Sequence, residues 1–175
     1  MFNIMKRLVI VAFALMLIAC ASGVTRMDNA TSNAAPVIAP KVKSISLWLN
    51  DDAKKLVGDN LKFNQDVLRS TIERSLQAQD IIKTDAIQSL DVEITGFRVR
   101  SNFTAIMFGF MAGNDNIEGI VSLKDDGGKV LKKAKVNASY ALGGIAGGQD
   151  DARMGWLYEA FAKHALAEVT GVPVK

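Results

Sequence analysis

Very few side chains in this sequence are suited to catalysis. The chain contains one cysteine, Cys20, and one histidine, His164. A Ser-His-Asp set would have to use His164, which lies at the edge of a predicted apolar helical stripe, so we interpret it as a half-exposed structural histidine. None of the serines lies in a nucleophile-elbow sequence. These residue types indicate no active site, and we predict a protein that is not an enzyme.

The acidic and glycine-rich segments do not match known ligand motifs either. The carboxylates of Asp115, Glu118, Asp125 and Asp126 do not have the spacing of a calcium loop, and turn or strand-edge roles explain them better. The stretch "GGIAGG" lacks the Gly-Lys-Ser/Thr ending of a phosphate loop. No Lys/Arg stripe suggests a nucleic-acid partner. We therefore predict no metal ion, no dissociable cofactor and no nucleic-acid binding.

The context of Cys20 is more informative than its reactivity. An uncharged run, "LVIVAFALMLIA", follows Lys6 and Arg7 and ends directly before the cysteine. As a helix this run would be roughly 18 Å long, whereas the hydrocarbon core of a bilayer is roughly 30 Å thick. A basic pair followed by a short apolar run is typical of a secretory signal. Residues 1–19 are therefore predicted to be a cleaved leader.

The stretch "LIAC", which ends at Cys20, resembles the lipobox of bacterial lipoproteins. The resemblance implies cleavage between Ala19 and Cys20, with a diacylglyceryl group on the thiol and an acyl group on the new amino terminus. Ala21 and Ser22 follow where an aspartate would retain such a protein in the inner membrane. The resemblance thus implies a lipid anchor on the periplasmic face of the outer membrane, or on the cell membrane of a source without one.

The predicted mature chain is long enough for one domain. Without residues 1–19 the formal charge falls from +3 to +1, because Lys6 and Arg7 are removed with the leader. Residues 20–40 are rich in small and polar residues, and a flexible tether of this length would span on the order of 25 Å. We therefore predict a lipidated tether over residues 20–40 and a single folded domain over residues 41–175.

Apolar periodicity within residues 41–175 predicts four strands and two helices. Alternation near residues 43–50 and 89–99 indicates two strands, and Gly96 lies where the second changes phase, as at a bulge. An Asp-Asp-Gly-Gly turn at residues 125–128 predicts a hairpin. Helical stripes run from about residue 64 to 82 and from residue 150 or 151 to about 169. A right-handed crossover makes the first two strands parallel. We expect an α+β two-layer sandwich: a roughly four-stranded mixed sheet, strand-helix-strand followed by a meander, with two helices on one face.

Three segments carry a further resemblance. The stretches "GFMAGNDNIEGIVSLKDDGGKVL", "YALGGIAGG" and "WLYEAFAKHALAEV" are similar to a family of bacterial lipoproteins designated a domain of unknown function. The likeness covers about residues 90–169. It implies a small envelope lipoprotein and no particular activity.

Two Gly-rich apolar segments, "FTAIMFGFMAG" and "YALGGIAGG", are the candidate interaction loops. The first segment joins the second and third predicted strands, and the second follows the fourth. In a meander both therefore emerge at the same end of the sheet, opposite the Asp-Gly turn. The sequence is equally compatible with two arrangements: the segments are exposed, or they fold back over the sheet and complete the core. If exposed, they would form an interaction patch. The candidate interaction residues are Ile106, Met107, Phe108, Phe110, Met111, Leu142 and Ile145.

Two functions fit these features. The first is an auxiliary or scaffolding lipoprotein that binds another envelope protein, with no catalysis. The alternative is a periplasmic carrier that holds a lipid or other apolar ligand between sheet and helices. An adaptor needs an exposed apolar patch, whereas a carrier needs an internal apolar cavity.

Overall fold

A computed structural model describes residues 23–27, 40–101, 113–140 and 150–171. These residues form an α+β fold with one mixed five-stranded sheet and three helices. The elements, in chain order, are β1 (Gly23–Arg26), β2 (Val42–Leu49), α1 (Asp51–Leu56), α2 (Gln65–Ala78), β3 (Gln88–Arg98), β4 (Asp115–Lys124), β5 (Val130–Tyr140) and α3 (Asp150–Thr170).

The sheet has the order β1-β5-β4-β3-β2. β2 and β3 are parallel, and β3, β4 and β5 form an antiparallel meander, so both predicted connections are confirmed. The register shifts between Ile94 and Gly96, which confirms the predicted bulge. The turn between β4 and β5 is closed by a hydrogen bond from Gly128 N–H to the Asp125 carbonyl, 3.0 Å long.

The fifth strand corrects the sequence prediction of four. β1 pairs with β5 in antiparallel register, with Gly23 opposite Asn137 and Arg26 opposite Ala134. Residues 23–26 belong to the segment that composition assigned to a flexible tether, and that assignment is wrong for them. The small and polar residues Gly23 and Thr25 suit an edge strand that only one neighbour pairs with, and Val24 packs against the core.

The two long helices pack against the sheet and against each other. Asn64 caps α2 by accepting hydrogen bonds from the backbone N–H groups of Asp66 and Val67, as predicted, although the helix ends at Ala78, before the predicted residue 82. The predicted buried stripe of α3 is confirmed, and Gly171 follows the helix with a φ of +74°. The stripe residues are Met154, Leu157, Tyr158, Phe161 and Ala165.

Aromatic contacts hold the helices to the carboxyl end of β3. The rings of Phe63 and Phe97 stack with their centroids 3.9 Å apart, and Tyr158 meets Phe63 edge-on at 6.1 Å. The Tyr158 hydroxyl accepts a hydrogen bond of 2.7 Å from the Asn64 N–H, where α2 begins. The start of α2 is thereby fixed beside α3 and the end of β3.

The short helix α1 is the third helix, which the apolar periodicity does not reveal. Asn50 caps it by accepting a hydrogen bond from the Ala53 N–H, and Ala53 is its one buried residue. A single buried alanine leaves no stripe for a pattern search to detect. Among the described residues, no helix is both long enough and apolar enough to cross a membrane.

Candidate functional site

Three buried ionisable side chains meet at one end of the sheet. Arg100 lies just beyond β3, Asp115 is the first residue of β4, and Arg153 lies in the first turn of α3. Their exposed fractions are 3%, 0% and 1%, although charged residues are almost never fully buried unless they are paired. Three elements distant in sequence therefore converge on one charged cluster, which we call the Arg-Asp-Arg cluster.

The contacts between Arg100 and Asp115 are bidentate. Arg100 Nη2 lies 3.1 Å from Asp115 Oδ2, and Arg100 Nε lies 3.3 Å from Asp115 Oδ1. The backbone N–H of Arg100 also donates to Asp115 Oδ1, at 2.7 Å. Such fork-shaped pairs are the strongest side-chain hydrogen bonds, because both donor and acceptor are charged and their relative orientation is fixed. The end of β3 is thus bound to the start of β4 through both main chain and side chain.

The same arginines bind the neighbouring backbone. Arg100 Nη1 donates to the carbonyl of Gly113 at 2.7 Å, and Nη2 donates to the carbonyl of Tyr140 at 3.3 Å. Arg153 Nη2 donates to the carbonyl of Arg100 at 2.9 Å, and Arg153 Nε lies 3.5 Å from Asp115 Oδ2. The cluster therefore joins the chain on both sides of residues 102–112 to the chain on both sides of residues 141–149.

We call this end of the molecule the loop pole. It comprises the end of β3, the start of β4, the end of β5 and the first turns of α3. The turn at residues 125–128 lies at the opposite end of the sheet. The prediction that both Gly-rich segments emerge at one end is confirmed by the residues that flank them.

The predicted interaction residues themselves lie outside the described residues. This applies to Ile106, Met107, Phe108, Phe110, Met111, Leu142 and Ile145. It applies equally to the predicted lipidation, cleavage and sorting residues Ala19, Cys20, Ala21 and Ser22. Their roles remain predictions.

Gly113 has a backbone conformation that favours glycine where the chain enters β4. Its φ is +81°, a conformation that side chains with a Cβ rarely adopt. A Cβ built at this position would lie 2.7 Å from Arg98 Nη1. Because the Arg98 guanidinium can move, the positive φ is the main reason that another residue would be strained here.

The chemistry of the Arg-Asp-Arg cluster is charge pairing. Arginine stays protonated in proteins, so neither guanidinium can act as a general base. The cluster carries two positive charges and one negative charge. Its role follows from its contacts: it fixes the positions of chain ends, at the energetic cost of burying three charges.

The four carboxylates considered from the sequence do not converge. Asp115 belongs to the cluster, Glu118 pairs with Lys135 at 2.8 Å, and Asp126 pairs with Lys43 at 3.1 Å. Asp125 accepts a hydrogen bond from the Lys129 N–H within the turn. Within the described ranges, His, Cys, Asp and Glu side chains form no group of three that would hold a metal ion.

His164 is partly buried on α3, as its place at the edge of the stripe predicts. Burial lowers its pKa from the ordinary value of 6.5, and the neighbouring Lys163 lowers it further. A base whose pKa is lower in the folded than in the unfolded state binds protons more weakly when folded, so folding stability decreases as pH falls from about 6.5 toward the lower folded pKa.

We expect His164→Gln to weaken this pH dependence. The free energy of unfolding, measured in urea between pH 7.5 and 5, should fall less steeply in the variant than in the unmodified chain. Equal slopes in the two proteins would contradict the prediction.

Sequence reasoning missed Arg100 and Arg153 and assigned Asp115 to an edge. A signal was present, because Asp115 alternates in phase with the buried Ile117 and Val121 of β4. Arg153 likewise precedes Leu157 by four residues, on the buried side of α3. A charge at an apolar position on each of two elements indicates a buried ion pair.

Comparison with known proteins places the chain in a family. The model of a family described as "domain of unknown function (DUF4410)" matches residues 24–144. The chain belongs to this family. The match runs from β1 to just beyond β5, and so includes the end strand and two members of the cluster. It begins earlier than the resemblance noted from the sequence. The curated proteins include no match.

Several solved structures are similar to the chain. A PelC dodecamer from Paraburkholderia phytofirmans has 10% identity and a TM-score of 0.44, covering 83% of this chain and 97% of that one. A PelC variant dodecamer from the same organism has 16% identity, a TM-score of 0.48 and the same coverage. A minor lipoprotein from Acinetobacter baumannii has 10% identity and a TM-score of 0.35, covering 74% and 90%.

Proposed function

We propose that this protein is a lipid-anchored envelope lipoprotein that acts as an auxiliary or scaffolding binding protein, without catalysis. The leader, the lipobox and Cys20 support the anchor. The binding role rests on one observation: the Arg-Asp-Arg cluster gathers the ends of two uncharged segments at the loop pole. Residues 102–112 and 141–149 contain twenty residues and no charged side chain.

The energetic cost of the cluster supports an interaction role for the loop pole. Replacing a buried ion pair or triad by apolar residues is often neutral or stabilising. A cluster of this kind is therefore a poor way to add stability, and a good way to fix the relative positions of chain ends. We infer that the loop pole is the binding end of the molecule.

The packing of the described core favours an adaptor over a carrier. A half-open cleft beside β4, β5 and the end of α3 has a volume of about 10 Å³. That is room for about one water molecule, whereas an acyl chain needs many times more. Val121, Leu123, Ala134 and Val169 line it, together with the stems of polar side chains. Among the described residues, apolar side chains of the core occupy the space between the sheet and the helices.

Co-purification would test the binding role. The chain would be extracted from membranes in mild detergent, after chemical cross-linking in the intact cell, and its cross-linked peptides would be identified by mass spectrometry. We expect cross-links from residues of the loop pole to a second envelope protein. Cross-links only from the turn at residues 125–128 would contradict the proposal.

We expect Phe108→Asp and Ile145→Asp to abolish partner binding while leaving the melting temperature nearly unchanged. A carboxylate in an exposed apolar patch disrupts docking but not the core. Binding would be measured by co-purification and stability by thermal unfolding. The control is Leu131→Asp at the opposite end of the sheet, where Leu131 is already 41% exposed, and it should change neither quantity. If either loop variant unfolds the domain, the segment belongs to the core and the proposal fails.

A further inference from the structure

The register of β1 places the predicted lipid anchor beside the loop pole. Gly23, the first residue of β1, lies opposite Asn137, and β5 ends three residues later at Tyr140. Cys20 precedes Gly23 by three residues. Three residues span at most about 11 Å, so Cys20 cannot lie far from the end of the sheet where β5 ends.

An exposed tryptophan lies at the same corner. Trp156, in the second turn of α3, is 47% exposed, and its ring lies 5.2 Å from that of Tyr140, centroid to centroid. Tryptophan and tyrosine combine an apolar ring with a polar group, and both are enriched where hydrocarbon meets the headgroups of a bilayer. This aromatic pair is therefore suited to contact lipid.

Exposed ion pairs occur at both ends of the sheet, but at the loop pole those of the described residues lie away from β1. The turn end carries the ion pairs Lys43–Asp126 and Lys41–Asp80. At the other end, exposed ion pairs lie on α1, which follows β2 at the sheet edge opposite β1. Desolvating charged side chains against lipid is unfavourable, so the corner of the loop pole formed by β1, β5 and Trp156 is the part suited to approach a bilayer.

We propose that the anchored domain rests on the bilayer with its loop pole toward the lipid and with Trp156 at the level of the headgroups. This orientation rests on the proposed lipid anchor at Cys20. A tether over all of residues 20–40 would have held the domain away from the membrane. Because β1 begins at Gly23, only three residues after Cys20, the folded part lies close to the proposed anchor.

The two tryptophans of the chain provide the experiment and its control. Trp48 is 39% exposed and pairs with Glu93, five residues before the end of β3, and therefore lies roughly 16 Å from the loop-pole end of that strand. The full chain, purified from membranes, would be reconstituted into phosphatidylethanolamine and phosphatidylglycerol vesicles that contain phospholipid brominated near the headgroup. In the Trp48→Phe variant, which reports on Trp156, we expect a blue shift and loss of most of the emission. In the Trp156→Phe variant, which reports on Trp48, we expect little change.

The outcomes separate the orientation from the anchor. If Trp156 is not quenched, or if Trp48 is quenched as strongly, the orientation is wrong, and a protein partner of the loop pole would then be met away from the bilayer. If mass spectrometry finds no lipid on Cys20, the proposed anchor fails. The orientation is then tested by coupling the single thiol of the chain to a maleimide phospholipid in the same vesicles and repeating the quenching.

Discussion

Asp115→Asn should lower the free energy of unfolding by about 3–5 kcal/mol, the typical cost of removing one partner from a buried ion pair. In the native protein both guanidinium groups of the cluster lie against the Asp115 carboxylate. The amide of asparagine cannot balance their charge, and its NH₂ group adds a donor where only donors are present. For a domain of this size the expected loss corresponds to a decrease in melting temperature on the order of 10 °C or more.

A matched control is available in the same strand. Glu118 also forms an ion pair, with Lys135 at 2.8 Å, but the side chains of that pair are 34% and 51% exposed. Glu118→Gln should therefore cost only about 0–1 kcal/mol. Urea unfolding of both variants gives the comparison. Equal and small losses would mean that the Arg-Asp-Arg cluster does not hold the chain ends as proposed.

A double variant tests whether the three charges act as a unit. Arg100→Leu combined with Asp115→Leu removes both partners of the bidentate pair and leaves Arg153 as the one remaining charge of the cluster. The stability losses caused by substitutions within one ion-pair network do not add. The double variant should therefore lose less stability than the sum of the losses in the two single variants. Additive losses would mean that Arg100 and Asp115 contribute to stability independently of each other.

The parts of the fold that sequence reasoning predicted are those with strong local signals. Alternating apolar residues identify β2, β3 and the β4–β5 hairpin, because each strand has one buried face. Turn chemistry identifies the hairpin, and Asn64 identifies the start of α2. These signals arise from residues close together in sequence, and the meander and crossover then follow from chain connectivity.

The missed parts depend on contacts between residues far apart in sequence. β1 has four residues and a single paired neighbour, so its pairing to β5 leaves almost no periodic signal. The Arg-Asp-Arg cluster joins positions 100, 115 and 153, and no local pattern connects them. In both cases the partner is supplied by tertiary structure, which overrides the local preference of a small-residue segment and of a charged side chain.

These two omissions bear on the same end of the molecule. β1 determines where the predicted anchor enters the fold, and the cluster determines where the two uncharged segments leave it. Without β1, the composition of residues 20–40 suggests a domain free to move on its tether. With β1 paired to β5, the predicted anchor and the proposed binding end become neighbours, so the proposed partner would be met at the membrane surface.

Cys20→Ser should have the largest effect on location. The lipobox resemblance implies three acyl chains on the cysteine, and each buried methylene contributes about 0.8 kcal/mol to membrane attachment, whereas one chain alone binds only marginally. Serine offers no thiol for the thioether bond, so the variant should lose all of this attachment. We expect an unprocessed or soluble product, absent from the outer-membrane fraction, with no lipid adduct in its mass spectrum.

Ser22→Ala provides the control, because it keeps the cysteine and a small residue near the cleavage point and should remain fully lipidated. Ala21→Asp addresses sorting: with lipidation intact, it should move the protein to the inner membrane in an organism that uses the aspartate rule. A Cys20→Ser chain that still cofractionates with the outer membrane at the native level would show that attachment does not depend on lipid. The loop pole or a protein partner would then have to supply the binding that the anchor is proposed to provide.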